Sequence, residues 1–301
     1  MEFHTDPQIQ AFIDYLKFEK RYSPHTIRSY QDDLQFFYEY LSSSFGNLSL
    51  AEIKPTFIRS WLAKQKEEGL SSKSLNRRIS SLRSYFKYHL RQGEITTSPM
   101  TTIVTPKVSK RLPSFVDQKD TELLFAHVEF PDNWEGVLEK MILQLLYASG
   151  MRLSELIGLK QSQVNLQKAQ LKILGKGNKE RLIPLSLETQ QEIKNYLQKR
   201  KEKFGENDGL ELFLINDKGR KLYPKYVQLV VKKYLSLVTT IEKRSPHVLR
   251  HTFATHLMNN GAELNAVKEL LGHSSLAATQ VYTHNTIDKL KDIHKKAHPK
   301  A

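Results

Sequence analysis

The sequence predicts a mainly α protein of two domains, the first built only of helices and the second mixing helices with a small β-hairpin or sheet. Three observations lead there. At 301 residues the chain is longer than one ordinary domain. Residues 1–93 carry helical periodicity and nothing else. After a Pro- and Thr-rich stretch, the pattern changes to helices interleaved with short alternating segments.

In the first domain, Ile9, Phe12, Ile13 and Leu16 recur at the spacing of one helical face. Ser23-Pro24 supplies an N-cap followed by Pro at the first helical position, opening a helix over Pro24–Leu41. A third helix is expected from Leu50 to Glu68, stopped by Gly69, and a fourth from Ser72 to Arg91, ending at Gly93. Four helices with short Ser/Gly connections make a small bundle. The stretch from Glu94 to Phe115 holds Thr96, Thr97, Thr101, Thr102, Pro99, Pro106 and Pro113 with Lys107, Lys110 and Arg111, so residues 94–111 read as an extended basic linker. The second domain, residues 112–301, predicts helices at Lys119–Phe130, Trp134–Ser149, Leu187–Phe204, Pro224–Leu237, Pro246–Asn259, Leu264–Leu271, Leu276–Tyr282 and Ile287–Lys296. A β-hairpin is expected at Gln170–Leu174 and Arg181–Leu185 around a Gly-Lys-Gly turn, with another short strand at Leu212–Ile215.

Composition narrows the function classes. With 39% hydrophobic residues and a mean hydropathy of −0.50, no window approaches 18 uninterrupted apolar residues, which argues against a membrane-spanning helix. The N-terminus lacks a basic-then-apolar signal pattern, so a cytoplasmic protein is expected. Zero cysteines exclude a disulfide framework, a Cys-ligated metal site and a thiol nucleophile. A net charge of +14 points to a polyanionic partner, with nucleic acid foremost.

The Ser72–Arg91 helix sharpens that expectation. Leu75, Ile79, Leu82, Phe86 and Leu90 fall within about 80° of one another at 100° per residue, forming an apolar stripe. Lys73, Arg77, Arg83, Lys87 and Arg91 cluster on the other side, and no acidic residue interrupts the helix. A single-sign stripe forgoes the stabilising pairs that mixed charges give a solvated face, as it would if phosphates supplied the missing negative charge. A merely solvated basic face is the alternative.

Four further segments carry candidate chemistry. Ser245-Pro246 starts a helix whose first turn holds His247 and Arg250 on one face, where their charge opposes the macrodipole unless an anion binds. His247 and His251 at i,i+4 could suit a metal, but they lack the Glu of a zinc helix and flank an arginine, so no metal site is assigned. Leu270-Leu271-Gly272-His273 is followed by Tyr282; in isolation such a His or Tyr would be a helix end or a core residue. Arg152 sits at the break between two apolar helices, with Glu155 placed to hold its guanidinium. Lys176 lies in Gly175-Lys176-Gly177, whose glycines permit φ > 0.

Taken in order, Arg152, Lys176, His247-x-x-Arg250, His273 and Tyr282 resemble the signature of the tyrosine recombinase (phage-integrase-like) family. The likeness spans the whole chain, and Gly175–Arg181 and the tail from Tyr282-Thr283-His284 are most similar to its bacterial XerC/XerD branch. The resemblance implies a SAM-like core-binding domain followed by a recombinase catalytic domain. It implies a site-specific recombinase that breaks and rejoins double-stranded DNA through a 3′-phosphotyrosine intermediate and a Holliday junction, with no cofactor, metal or ATP. Tyr282 would be the nucleophile, Arg152 and Arg250 would hold the non-bridging oxygens, His247 and His273 would donate hydrogen bonds, with His247 also placed to accept the tyrosine proton, and Lys176 would be the general acid. Four protomers, of one kind or paired with a paralogue, would assemble on two DNA sites, with Ile287–Lys296 docking on a neighbour or else on its own domain. Chromosome dimer resolution before cell division, with a cell-division DNA translocase as a further partner, is implied, with integration of a mobile element as the alternative. A type IB topoisomerase uses similar side chains, and a catalytically silent DNA-binding protein would lack one of them.

Overall fold

A computed structural model of the chain describes residues 6–108, 114–175, 180–206, 209–272, 297 and 299. It divides into two compact units, Met1–Arg111 and Leu112–Ala301. No described helix is long and apolar enough to cross a membrane.

Among the described residues of the first unit, every regular element is a helix. Helix α1 (Pro7–Asp14) begins at Asp6, whose carboxylate accepts from the Gln8 amide at 2.8 Å, and runs on into a wider π turn at Tyr15–Glu19. Helix α2 (Pro24–Phe45) is capped by Ser23, as its Ser-Pro start foretells. The third expected helix is split into a 3₁₀ turn at Leu50–Glu52 and α3 (Pro55–Glu67). Pro55 is the cause: it offers no amide hydrogen and pushes Lys54 into extended backbone, φ −95° and ψ 154°. Helix α4 (Ser72–Arg91) has the expected bounds. Leu75, Ile79, Leu82 and Phe86 are buried, but Leu90 is 40% exposed, while Tyr85 and His89 are buried instead. The covered arc is therefore rotated towards those two residues, leaving Leu90 at its rim.

Much of the stretch expected to be a linker is held against this bundle. Ile95, Met100 and Ile103 join the core around Phe37, Trp61 and Phe86. Asn76 donates to the Pro106 carbonyl at 2.9 Å, and Arg59 donates to Thr102 Oγ1 at 2.8 Å. Three apolar side chains spaced along a Thr- and Pro-rich segment suffice to anchor it, although they show no helical or strand period.

The second unit is organised around α6 (Trp134–Ser149), which is buried on nearly every side from Leu138 onward and touches α8, α9 and α10. It follows α5 (Gln118–Ala126), which ends short of the expected Phe130, and precedes the short α7 (Leu153–Ile157). Strands β1 (Val164–Asn165), β2 (Gln170–Leu174) and β3 (Glu180–Pro184) form an antiparallel sheet in that order, with Leu171 opposite Ile183 and Ile173 opposite Arg181. The strand expected at Leu212–Ile215 makes only isolated bridges, Lys160 to Leu212 and Ile215 to Lys221. Helices α8 (Leu187–Phe204), α9 (Pro224–Val238), α10 (Pro246–Asn259) and α11 (Leu264–Leu271) lie where the sequence places them, within a residue. The helices expected at Leu276–Tyr282 and Ile287–Lys296 lie outside the described residues.

The entry to this unit is fastened to α10. The Val116 amide donates to Thr252 Oγ1 at 2.9 Å, and its carbonyl lies 2.9 Å from His256 Nε2. His256 Nδ1 meets the Tyr147 hydroxyl at 3.0 Å, and burial holds its pKa below the ordinary imidazole value. A neutral ring donating from Nε2 and accepting at Nδ1 satisfies both partners.

Candidate active site

Arg152 owes its position to the end of α6. Gly150 closes that helix in the left-handed region, φ +57°, and a Cβ there would stand 2.5 Å from Phe253 Cδ1 on α10. The chain thus turns tightly, and two residues later Arg152 opens α7 with extended backbone. Glu155, in the first turn of α7, accepts from the Arg152 amide at 2.8 Å and from its Nη1 at 2.8 Å.

The carboxylate of Glu155 has a second cationic partner that the sequence reading missed. Arg181, on the inward face of β3, donates to Glu155 through Nη1 at 3.1 Å and Nη2 at 2.7 Å. Both Glu155 oxygens therefore accept two hydrogen bonds each. Burial pushes the Glu155 pKa up, but the Arg181 fork, the Arg152 amide, the Arg181 charge and the Arg152 guanidinium hydrogen bond together outweigh it and hold the carboxyl below the ordinary carboxylate range. The signal was available in period-two alternation: with Ile183 facing inward, Arg181 must share its face.

Arg250 lies one turn into α10 and is only 7% exposed. Its Nη1 donates to the Gly150 carbonyl and its Nη2 to the Leu271 carbonyl, each at 2.6 Å. Burial, followed by the charges of Arg152 and Arg181, pulls its pKa down to about 10, which leaves it protonated at neutral pH. His247, one turn earlier, is exposed.

These arginines converge on one feature, the C-terminal end of α11. Arg181 Nε donates to the Leu270 carbonyl at 2.8 Å, Arg250 to Leu271, and Arg152 Nη2 to Gly272 at 3.3 Å. Three consecutive carbonyls, at the negative end of a helix, thus each receive one guanidinium. Gly272 closes α11 at φ +65°, and a Cβ there would press on Arg181 at 3.2 Å. The arrangement gathers three cations around a single carboxylate and leaves Arg152 about one-third exposed, a setting suited to an anion. Lys176, His273 and Tyr282 lie outside the described residues. Among the described residues no group of three or more His, Asp or Glu could hold a metal ion.

Residues 114–289 match the model of the phage integrase family, more than half of the chain, and residues 9–93 match its N-terminal SAM-like domain. The chain belongs to the phage integrase family. Among relatives, the tyrosine recombinase XerC of Staphylococcus saprophyticus is 37% identical over 292 residues, covering 97% of each chain. That of Halalkalibacterium halodurans is 35% identical over 305 residues and covers both chains completely. The chain is accordingly a tyrosine recombinase, an enzyme of DNA strand breakage and rejoining. Its fold is shared with solved family members: a XerH site-specific recombinase bound to palindromic difH substrate (TM-score 0.70, 24% identity, 94% of this chain and 83% of that one) and the Tn1549 transposon integrase with circular intermediate DNA (TM-score 0.71, 18% identity, 95% and 99%).

The basic stripe of this integrase-family chain is less uniform than its sequence suggests. Lys73, Arg77, Arg83, Lys87 and Arg91 are all exposed. Arg77, however, pairs with the fully buried Asp33 at 2.6 Å and also bonds Ser29, while Arg83 donates to the Ile103 carbonyl at 3.2 Å. Burial raises the Asp33 pKa despite Ser81, Arg77 and Arg78 around it. Part of the stripe therefore braces the bundle and the segment after α4.

Proposed function

We propose that this tyrosine recombinase cleaves a specific duplex site by attack of the Tyr282 hydroxyl oxygen on the scissile phosphorus. The phosphorus–O5′ bond breaks, His247 takes the phenolic proton, and Lys176 gives a proton to the departing O5′. Arg152 and Arg250 hold the non-bridging oxygens, where planar forks serve better than a lysine, and His273 adds a hydrogen bond as charge builds on them. The 3′-phosphotyrosyl bond keeps the free energy of the phosphodiester, so the 5′-hydroxyl of a second strand can reverse the step without ATP and generate a Holliday junction. The observation that carries this reading is the convergence of Arg152 and Arg250 on adjacent carbonyls, with Arg250 buried and still charged.

Lys73, Lys87 and Arg91 are the stripe residues left to meet the DNA backbone. We assign the protein to a tetramer on two sites in the cytoplasm, of one kind or with a paralogue, possessing a role in chromosome dimer resolution and a cell-division translocase as activator. The XerC names of the relatives favour that role over movement of a mobile element. The test is a nicked duplex carrying a candidate chromosomal site, incubated without metal or ATP. A 3′-linked, detergent-resistant adduct that disappears in Tyr282→Phe, while site binding persists, is the expected result. An adduct that survives Tyr282→Phe would remove the nucleophile assignment.

A further inference from the structure

The geometry points to Arg181 as a positioning residue for strand cleavage: it fixes where Arg152 aims and holds the C-terminal end of α11, without touching the substrate. This rests on the reading of Arg152 as a phosphate-binding group. Arg181 is 4% exposed, and its Nε, Nη1 and Nη2 all already donate to acceptors within the protein, so we assign it no phosphate contact. Its guanidinium nevertheless joins three elements that the proposed chemistry needs in register. It belongs to β3, the strand that follows the connection containing Lys176. Two of its nitrogens grip Glu155, the same carboxylate that holds the Arg152 amide and Nη1. Its Nε holds the Leu270 carbonyl, two residues before Gly272, whose carbonyl receives Arg152.

The geometry explains why an arginine occupies an inward strand position. Without Arg181, Glu155 would keep only the Arg152 amide and Nη1 as partners, both from one residue, so the carboxylate would be tied to no other element and could shift together with the Arg152 side chain. Bidentate contact from a guanidinium buried in the sheet fixes the carboxylate plane and so fixes the line along which Arg152 is held. The close approach of Gly272, where a Cβ would meet Arg181 Cδ at 3.2 Å, locks the side chain from the other side. A lysine would supply the charge but could not make the fork and the Leu270 contact together.

The test compares full-length Arg181→Met and Arg181→Lys with the unsubstituted protein on nicked duplexes whose scissile group is either a phosphodiester or a neutral methylphosphonate. Taking one charge from the substrate lessens what an aimed arginine contributes. Single-turnover cleavage of the phosphodiester should fall by roughly 10²-fold in both variants. The loss should be several-fold smaller on the methylphosphonate, with site affinity unchanged. Equal losses on both substrates would make Arg181 a structural residue only, and no loss would overturn the proposal outright. If Arg181→Met does not fold, Arg181→Lys decides alone. A readout independent of cleavage is the ¹⁵N spectrum of the Arg152 guanidinium, identified by its loss in Arg152→Lys. Slowed rotation in the unsubstituted protein should give way to an averaged signal in Arg181→Lys; an unchanged signal would overturn the proposal. A failure of the phosphoryl-transfer reading would look different, as absence of any adduct with the unsubstituted protein.

Discussion

Replacing Glu155 by Gln tests the charge arrangement of the site with little change of shape. The Glu155 side chain is 5% exposed and accepts four hydrogen bonds, three of them from guanidinium nitrogens. The amide removes the negative charge and turns one oxygen into a donor facing arginine N–H groups. Arg181, 4% exposed, is left without its counter-ion. Breaking one side of a buried pair costs about 3 kcal/mol. At ~2–4 °C per kcal/mol for a unit of this size, the melting transition of the second unit should fall by roughly 6–12 °C. The pH dependence gives a second check. Because the folded-state pKa of Glu155 lies below its unfolded value, its contribution is complete above about pH 4.3 and is lost as pH falls through the depressed folded value. The deficit of Glu155→Gln should therefore be full at pH 7 and shrink towards pH 3. Calorimetry or urea unfolding across that range measures it. A melting temperature unchanged at pH 7, or a deficit equally large at pH 3, would refute the assignment of Glu155 as the charged centre of the cluster.

Gly150→Ala should destabilise the second unit by about 2–4 kcal/mol, since the new methyl meets Phe253 at 2.5 Å in a left-handed backbone; thermal melting measures it. Replacing Lys73, Lys87 and Arg91 by Ala should flatten the log–log salt dependence of DNA binding by up to about 0.9 per residue, whereas Arg77→Ala should change it less because Asp33 already neutralises that charge. An equal effect of Arg77→Ala would return Arg77 to the DNA-facing set. Lys176→Ala should slow cleavage of an ordinary site far more than that of a 5′-bridging phosphorothiolate, whose leaving group needs no proton; equal slowing would remove Lys176 as general acid.

Much of the fold was legible because it follows from local rules. The Ser-Pro start of α10, the glycine that stops α4 and the 3.6-residue period place α4, α6, α8, α10 and α11 at their observed bounds. The Arg152–Glu155 contact followed from i,i+3 spacing alone. What the sequence hid are interactions between distant segments. Residues 94–106 look like a linker because Ile95, Met100 and Ile103 find their core only in three dimensions. Arg77 looks like a free cation because its partner, Asp33, lies on another helix. Arg181 escaped notice for the same reason, its two partners being Glu155 and the Leu270 carbonyl.

The distribution of charge in the site also bears on how it waits for DNA. Three guanidinium groups held close together repel one another, and Arg250 registers that repulsion, together with burial, in its lowered pKa. One carboxylate cannot balance them, so the remaining stabilisation comes from backbone dipoles: the Gly150 carbonyl and the last three carbonyls around the end of α11. Carbonyls are weaker acceptors than a phosphate anion, and the longest of these bonds, 3.3 Å, belongs to Arg152, the most exposed of the three. A phosphate should therefore draw on Arg152 first and on Arg250 after it, while Arg181 stays anchored. The energy of ordering the cluster is then met during folding rather than during the reaction, which is the condition under which fixed charges lower a barrier most effectively.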